Sequence, residues 1–131
     1  MIYVECHNAN DGIRAGLDNI SNAIDSPKAF TAKILQQLSR AKLLDSLRGR
    51  NGGFLIPKSK IVTLADIVFA IDGDRLTQGC VLGFKACEEE HPCPVHFKFK
   101  ELKEALKMTL GNTSLLELKE KMTSSEVYLI E

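Results

Sequence analysis

Tryptophan is absent from this 131-residue chain, and aromatic residues make up only 6% of it. A core must therefore come mostly from Leu, Ile, Val and Ala, drawn from the 44% of residues that are hydrophobic. The length is that of one domain, or of one small domain with an appended helical arm. No apolar run approaches the roughly 20 residues needed to cross a bilayer, and the N-terminus has no signal-peptide pattern. The chain is expected to be soluble and cytoplasmic, with no membrane partner. No internal repeat and no low-complexity segment is evident. No Ser-His-Asp set, phosphate loop or pair of catalytic carboxylates can be placed, so an enzyme is not expected. Net charge is also lacking: 17 basic residues balance 17 acidic ones, which by itself argues weakly against a polyanionic partner.

The zero sum hides a strong asymmetry. Residues 1–27 hold one Arg against four acids, residues 28–60 hold eight Lys or Arg against Asp45 alone, and residues 61–131 hold eight bases against twelve acids. A basic middle between acidic flanks is an electrostatic footprint suited to a nucleic acid. A solvated basic face with no partner is the bland alternative.

That basic middle contains two devices back to back, over Ser26–Ile56. Ser26 can cap a helix and Pro27 fits its first position, where no backbone N–H is needed. Phe30, Ile34, Leu35 and Leu38 then recur at helical spacing as one buried stripe, leaving Lys28, Thr31, Lys33 and Gln37 largely off it. A hairpin follows, in which Asn51-Gly52-Gly53 supplies the positive φ values of a tight turn. A short helix over Gly16–Ile24, with Leu17, Ile20 and Ile24 at helical spacing, precedes the Pro27 helix and makes a helix-turn-helix with it. A polar helix face beside a basic hairpin is what a winged helix presents to duplex DNA. In such a head, Lys28, Thr31, Ala32 and Lys33 would lie nearest the bases, and Arg50 and Asn51 at the hairpin tip would reach phosphates or the groove floor. An ordinary helix and hairpin of a core is the competing reading.

Further along, Thr63 can cap a helix LADIVFAID, with Asp66 near its positive end. Leu64, Ile67, Val68 and Ile71 would seal the domain, and Gly73 would end it. Residues 74–93 are irregular and rich in Gly and Cys. From Pro94 a long helix runs with Val95, Phe99, Leu102 and Leu106 as a narrow stripe, which needs a partner to cover it; a homodimer through residues 95–110 is the natural solution. Thr113 would cap a short last helix, and the tail SSEVYLIE has no assigned place. The chain thus divides into a DNA-binding head over 1–73, a cysteine-bearing loop over 74–94 and a C-terminal part over 95–131. Three of the four cysteines (Cys80, Cys87 and Cys93) crowd into fourteen residues. In a reducing compartment that clustering points to metal or redox chemistry instead of disulfides. Cys6 lies apart and reads as a small buried apolar residue.

The order of SLRGRNGGF, TLADIVFAIDG, three spaced cysteines, a long helix and NTSLLEL resembles a known family. It is that of the winged-helix transcription regulators that include the iron–sulfur cluster regulator and the nitric-oxide-sensing repressor of bacteria. The resemblance covers roughly residues 15–120 and implies a mainly α fold: a winged helix-turn-helix with a small β-hairpin wing, plus a long C-terminal dimerisation helix. It also implies that Ile2-Tyr3-Val4 lie near the end of a first helix, most of which precedes this sequence. Arg48 resembles the residue that reaches into the minor groove. A dimer implies a near-palindromic double-stranded operator. Cys80, Cys87, Cys93 and His96 match the positions of a [2Fe–2S] ligand set, although six residues separate Cys80 from Cys87 and five separate Cys87 from Cys93, one more in the first gap than in the relative. Zn²⁺ would accept the same four ligands, and unliganded or redox-active thiols are the third possibility.

Overall fold

The computed structural model describes residues 1–8, 12–85 and 88–124. Cys87 and the tail from residue 125 onward lie outside the described residues. Seven helices and one hairpin are found among them: α1 Ile2–Asn8, α2 Leu17–Ala23, α3 Lys28–Arg40, β1 Asp45–Leu47, β2 Gly53–Leu55, α4 Leu64–Asp72, α5 Arg75–Gln78, α6 His96–Asn112 and α7 Leu115–Thr123. The mainly α architecture with a two-stranded antiparallel hairpin is the winged helix-turn-helix expected from the sequence.

The helix-turn-helix forms where its turn residues permit. After α2, Asp25 takes a left-handed φ of 47°, one of the few side chains that tolerates it, and the Ser26 N–H donates back to the Ser21 carbonyl at 3.0 Å. The start of α3 differs from the expected one. Pro27 is itself the N-cap, with no side-chain cap bond, because the Ser26 hydroxyl is engaged elsewhere: it accepts a hydrogen bond from the Thr31 hydroxyl at 3.0 Å. The buried stripe is rotated as well. Thr31, Leu35 and Leu38 are buried with Ile34 packed on their flank, whereas Phe30 is 60% exposed. The spacing i, i+4, i+7 of 31, 35 and 38 defines the face that meets α2. Phe30 lies about one residue's turn away from it.

In the hairpin, Asp45 pairs with Leu55, Ser46 with Phe54 and Leu47 with Gly53. The positive φ values fall on Gly49 and Gly53, not on Asn51 or Gly52. Gly52 is needed for a different reason, since a Cβ there would meet the Leu47 carbonyl oxygen at 2.3 Å. Ala15 adds a separate bridge to β2: its N–H and C=O both pair with Phe54 at 2.9 Å.

Thr63 caps α4 through the expected reciprocal box with Asp66. No residue of α4 is completely buried; Ile67, Ala70 and Ile71 pack against the edge of the core, and Gly73 closes the helix at φ 68°. Residues 75–78 form a short helix inside the segment expected to be irregular. The long helix starts at His96 instead of Pro94 and runs through Gly111 to Asn112. Ser114, not Thr113, caps α7, its hydroxyl accepting from the Glu117 N–H at 3.1 Å; the Thr113 hydroxyl instead donates to the Thr109 carbonyl. The chain then folds back on the head. Thr63 and Ser114 form a bridge, the Leu115 N–H reaches the Val62 carbonyl at 2.9 Å, and Leu115 joins Val4, Ile20, Leu35, Leu38 and Ile56 in one hydrophobic cluster.

Candidate nucleic-acid interface and cysteine cavity

The outward side of α3 and the hairpin tip carry the exposed basic groups. Lys33 is exposed, and with Phe30, Gln36, Gln37 and Arg40 it lines a shallow depression on the helix surface. Lys28 is exposed too, but it is ion-paired with Asp18 of α2. Both partners are mostly solvated, so the pair holds Lys28 only weakly and leaves it available. Thr31 does not belong to this face: it is 4% exposed, and its hydroxyl donates to the Ser26 hydroxyl, so it is turned into the core and not outward as expected. Ala32 is half-buried beside it. Arg48, Arg50 and Asn51 are all exposed on the hairpin. Sequence reading missed Phe30, Gln36 and Arg40 as members of this face; the heptad-like set 31, 35 and 38 was the signal that would have turned them outward.

A second feature lies where α5 meets the start of α6. A cavity of about 160 Å³ is lined by Cys80, Cys93, His96, Phe99, Lys100 and Lys103, among others. His96 is 7% exposed, fixed at the first turn of α6 by its N–H bond to the Cys93 carbonyl at 2.9 Å, with its ring edge-on to Phe97. Two lysines tie the loop to α6: Lys100 pairs with Glu89, and Lys103 donates to the Gly79 carbonyl. Desolvation pushes the Cys80 thiol up, but the backbone N–H groups of Phe84, Leu82 and Gly83, with the charge of Lys103, outweigh it and hold the thiol below its ordinary value. Cys6 is the opposite case: desolvation raises its thiol, more than the Lys119 charge lowers it. It is half-buried, not sealed in the core as expected.

The cavity thus brings together three of the four expected ligands, Cys80, Cys93 and His96. Two soft thiols and an imidazole are the right chemistry for an iron–sulfur cluster or for zinc. Among the described residues, however, no three His, Cys, Asp or Glu side chains are set close enough to grip a metal ion. The fourth ligand, Cys87, lies outside those residues.

Comparison with known proteins agrees with the winged-helix fold. Residues 1–121 match the Rrf2 family, described as an iron-dependent transcriptional regulator. The chain belongs to the Rrf2 family. Among Rrf2 relatives, IscR of Photorhabdus laumondii, an HTH-type transcriptional regulator, is 26% identical over 103 residues, which are 78% of this chain and 62% of that protein. The chain therefore spans less than two thirds of that relative's length. The fold of IscR from T. potens superimposes with a TM-score of 0.73 at 13% identity, covering 98% of this chain and 85% of that one. The structure of CymR, the global cysteine regulator of B. subtilis, gives 0.65 at 21% identity, covering 91% and 88%. This Rrf2 chain is accordingly a transcriptional regulator by family. No helix among its described residues is long and apolar enough to cross a membrane.

Proposed function

We propose that this Rrf2 chain is a homodimeric, cytoplasmic regulator that binds a near-palindromic duplex operator, with occupancy set at the cysteine cavity. The observation that carries the reading is the placement of Cys80, Cys93 and His96 around one cavity at the root of α6, the helix packed on α4 of the head. Lys28 and Lys33 on α3, with Arg48, Arg50 and Asn51 on the hairpin, are the proposed DNA contacts. Phosphate contacts make such binding steeply salt-dependent. Leu102 and Leu106 are exposed on one side of α6, and Phe97 and Met108 on another; a second copy is the proposed cover for this apolar surface, which a lone helix leaves in water.

Cys80, Cys87, Cys93 and His96 would hold a [2Fe–2S] cluster, which supplies one-electron redox chemistry when bound. The chain's own part is mechanical. The Glu89–Lys100 pair and the Lys103 bond to Gly79 join the loop to α6, and α6 leans on α4, whose capping box fixes its start beside Ser114. A change in the cysteine loop therefore reaches the head through packed helices. It alters DNA affinity only by the difference with which it favours one arrangement of the two heads.

A second reading puts zinc or bare thiols in place of the cluster, on a module binding DNA, RNA or protein, since the same thiols and imidazole would accept zinc. The likeness to a cysteine regulator and to the oxidized form of Staphylococcus aureus CymR points the same way. One preparation separates the two. Anaerobically purified protein that is brown, with iron and sulfide in equal amount, supports the cluster; a colourless sample carrying zinc or no metal supports the alternative. Lys33→Ala with Arg48→Ala should abolish binding to promoter duplex at low salt. Unchanged binding of that double variant would defeat the docking scheme.

A further inference from the structure

Between the hairpin tip and the start of α2 lies a cleft of about 590 Å³, lined by Arg14, Asn19, Arg50 and Asn51 against walls that include Gly12, Gly16 and Gly52. No carboxylate is among its described lining residues. The cleft is built, not accidental. Ala15 is bonded to Phe54 on both sides, so the preceding residue, Arg14, is held beside the wing, and its Nη1 donates to the Asp45 carbonyl at 3.1 Å. A guanidinium has five N–H donors. One bond to β1 fixes the group and leaves most of its donors for a ligand. Two arginines and two asparagines lining one space, with Ile13 and the glycines as its other walls, suit a tetrahedral oxyanion, and arginine is the side chain best shaped to fork onto one.

We infer that this cleft clasps a phosphodiester of the DNA backbone, with Arg14 as a contact residue. The inference rests on the DNA-binding reading above. It follows because Arg50 and Asn51 belong both to the cleft and to the wing tip: a duplex engaged by the tip brings the flanking phosphates to the cleft. In helix-turn-helix proteins the first helix of the motif crosses that backbone, and here the cleft opens beside Asn19 on α2. Arg14 thus fixes register without reading sequence, in contrast to Lys33.

The test uses the full chain and two labelled duplexes, one promoter fragment and one of unrelated sequence, titrated by anisotropy across a series of salt concentrations. Arg14→Gln keeps a donor for Asp45 but loses the charge. It should weaken both duplexes by a similar factor, roughly tenfold, and reduce the slope of log K against log salt by about 1. Arg14→Lys should keep most of the slope, and thermal melting should show both variants folded. Wild-type affinity and slope in Arg14→Gln, or a loss confined to the promoter duplex, would overturn the clasp. Binding of inorganic phosphate that Arg14→Gln abolishes while affinity for both duplexes stays unchanged would also overturn it, assigning the cleft to a free anion. Failure of the wild-type chain to bind any duplex defeats the underlying reading instead, and the two failures are thereby distinguished.

Discussion

The Leu43 N–H donates to the Leu38 carbonyl at 3.0 Å, and Lys42 between the end of α3 and Leu43 stands at φ 58°. With the Lys42 N–H bonded to the Ser39 carbonyl, this is the 6→1 and 5→2 pair that ends a helix through a left-handed residue. Leu38 and Leu43 are both buried, so the cap locks α3 onto the core just before the hairpin. Lysine is a poor occupant of that conformation. Replacing it relieves a strain of about 1–2 kcal/mol, partly offset by the extra chain entropy of glycine. Lys42→Gly should therefore raise stability by about 0.5–1 kcal/mol. Urea unfolding would show it as a higher midpoint at unchanged slope, and a lowered midpoint would contradict the cap.

The rotation of α3 makes a contrasting pair. Leu38→Ala opens a cavity in the core and should cost about 2–5 kcal/mol. Phe30→Ala removes a larger side chain from the outward face and should stay within about 0.5 kcal/mol of wild type. If Phe30 instead proves as costly as Leu38, the helix faces the other way and the proposed DNA face is wrong.

What the sequence disclosed was local. The Thr63–Asp66 box, the closing Gly73, the hairpin and the long α6 were legible because each depends on residues a few positions apart. Phe30 was misplaced because apolar spacing favoured Phe30, Ile34, Leu35 and Leu38, whereas the buried face holds the polar Thr31, whose hydroxyl is satisfied by Ser26. Ser114 against Thr113 was a choice between neighbouring hydroxyls, made by the pairing of this junction with residues 62–64. Arg14 gave no signal, since its partner Asp45 lies 31 residues away. The cysteines named themselves by spacing; their shared cavity came only with the packing of α5 on α6.

Gly53 ties the wing to the loop before α2. A Cβ on it would meet the Ala15 carbonyl oxygen at 2.6 Å, on a backbone already at φ 140°. Gly53→Ala must break the Ala15–Phe54 rung or shift β2, at a cost of about 1–3 kcal/mol. Amide exchange would show it most sharply as lost protection at Ala15 and Phe54. Retained protection at both would mean the close approach is not obligatory.

The loop's tie to α6 has a defined pH window. The hydrogen bond and charge of Lys100 hold the Glu89 carboxyl below its ordinary 4.5, and Glu89 holds Lys100 above its ordinary 10.5. The depressed carboxylate favours the ordered loop above the ordinary value, and that contribution is lost as pH falls through the lowered one. The raised lysine contributes at pH below 10.5 and ceases as pH climbs past the raised value. The tie is intact at neutral pH and fails in acid. Carbon-detected NMR of Glu89 should give a midpoint below that of a solvated glutamate, and Lys100→Met should return it to the ordinary range. An unshifted midpoint in the wild-type protein would remove the tie.

The cysteines should differ in reactivity in a way their spacing does not reveal. In reduced, metal-free protein the nucleophile is the thiolate. At Cys80, desolvation is outweighed by the N–H groups of Phe84, Leu82 and Gly83 and by Lys103, so the thiolate forms below the ordinary value of 9.0. At Cys6 desolvation wins and the thiolate forms above it. Iodoacetamide near neutral pH should therefore label Cys80 well before Cys6, and the rate at Cys80 should reach its plateau at lower pH than a free thiol. Lys103→Met removes one of the lowering charges and should move that plateau upward while leaving the pH profile of Cys6 in place. Peptide mapping that finds Cys6 labelled first, or a Cys80 profile indifferent to Lys103, would show that the loop does not present Cys80 as an activated ligand.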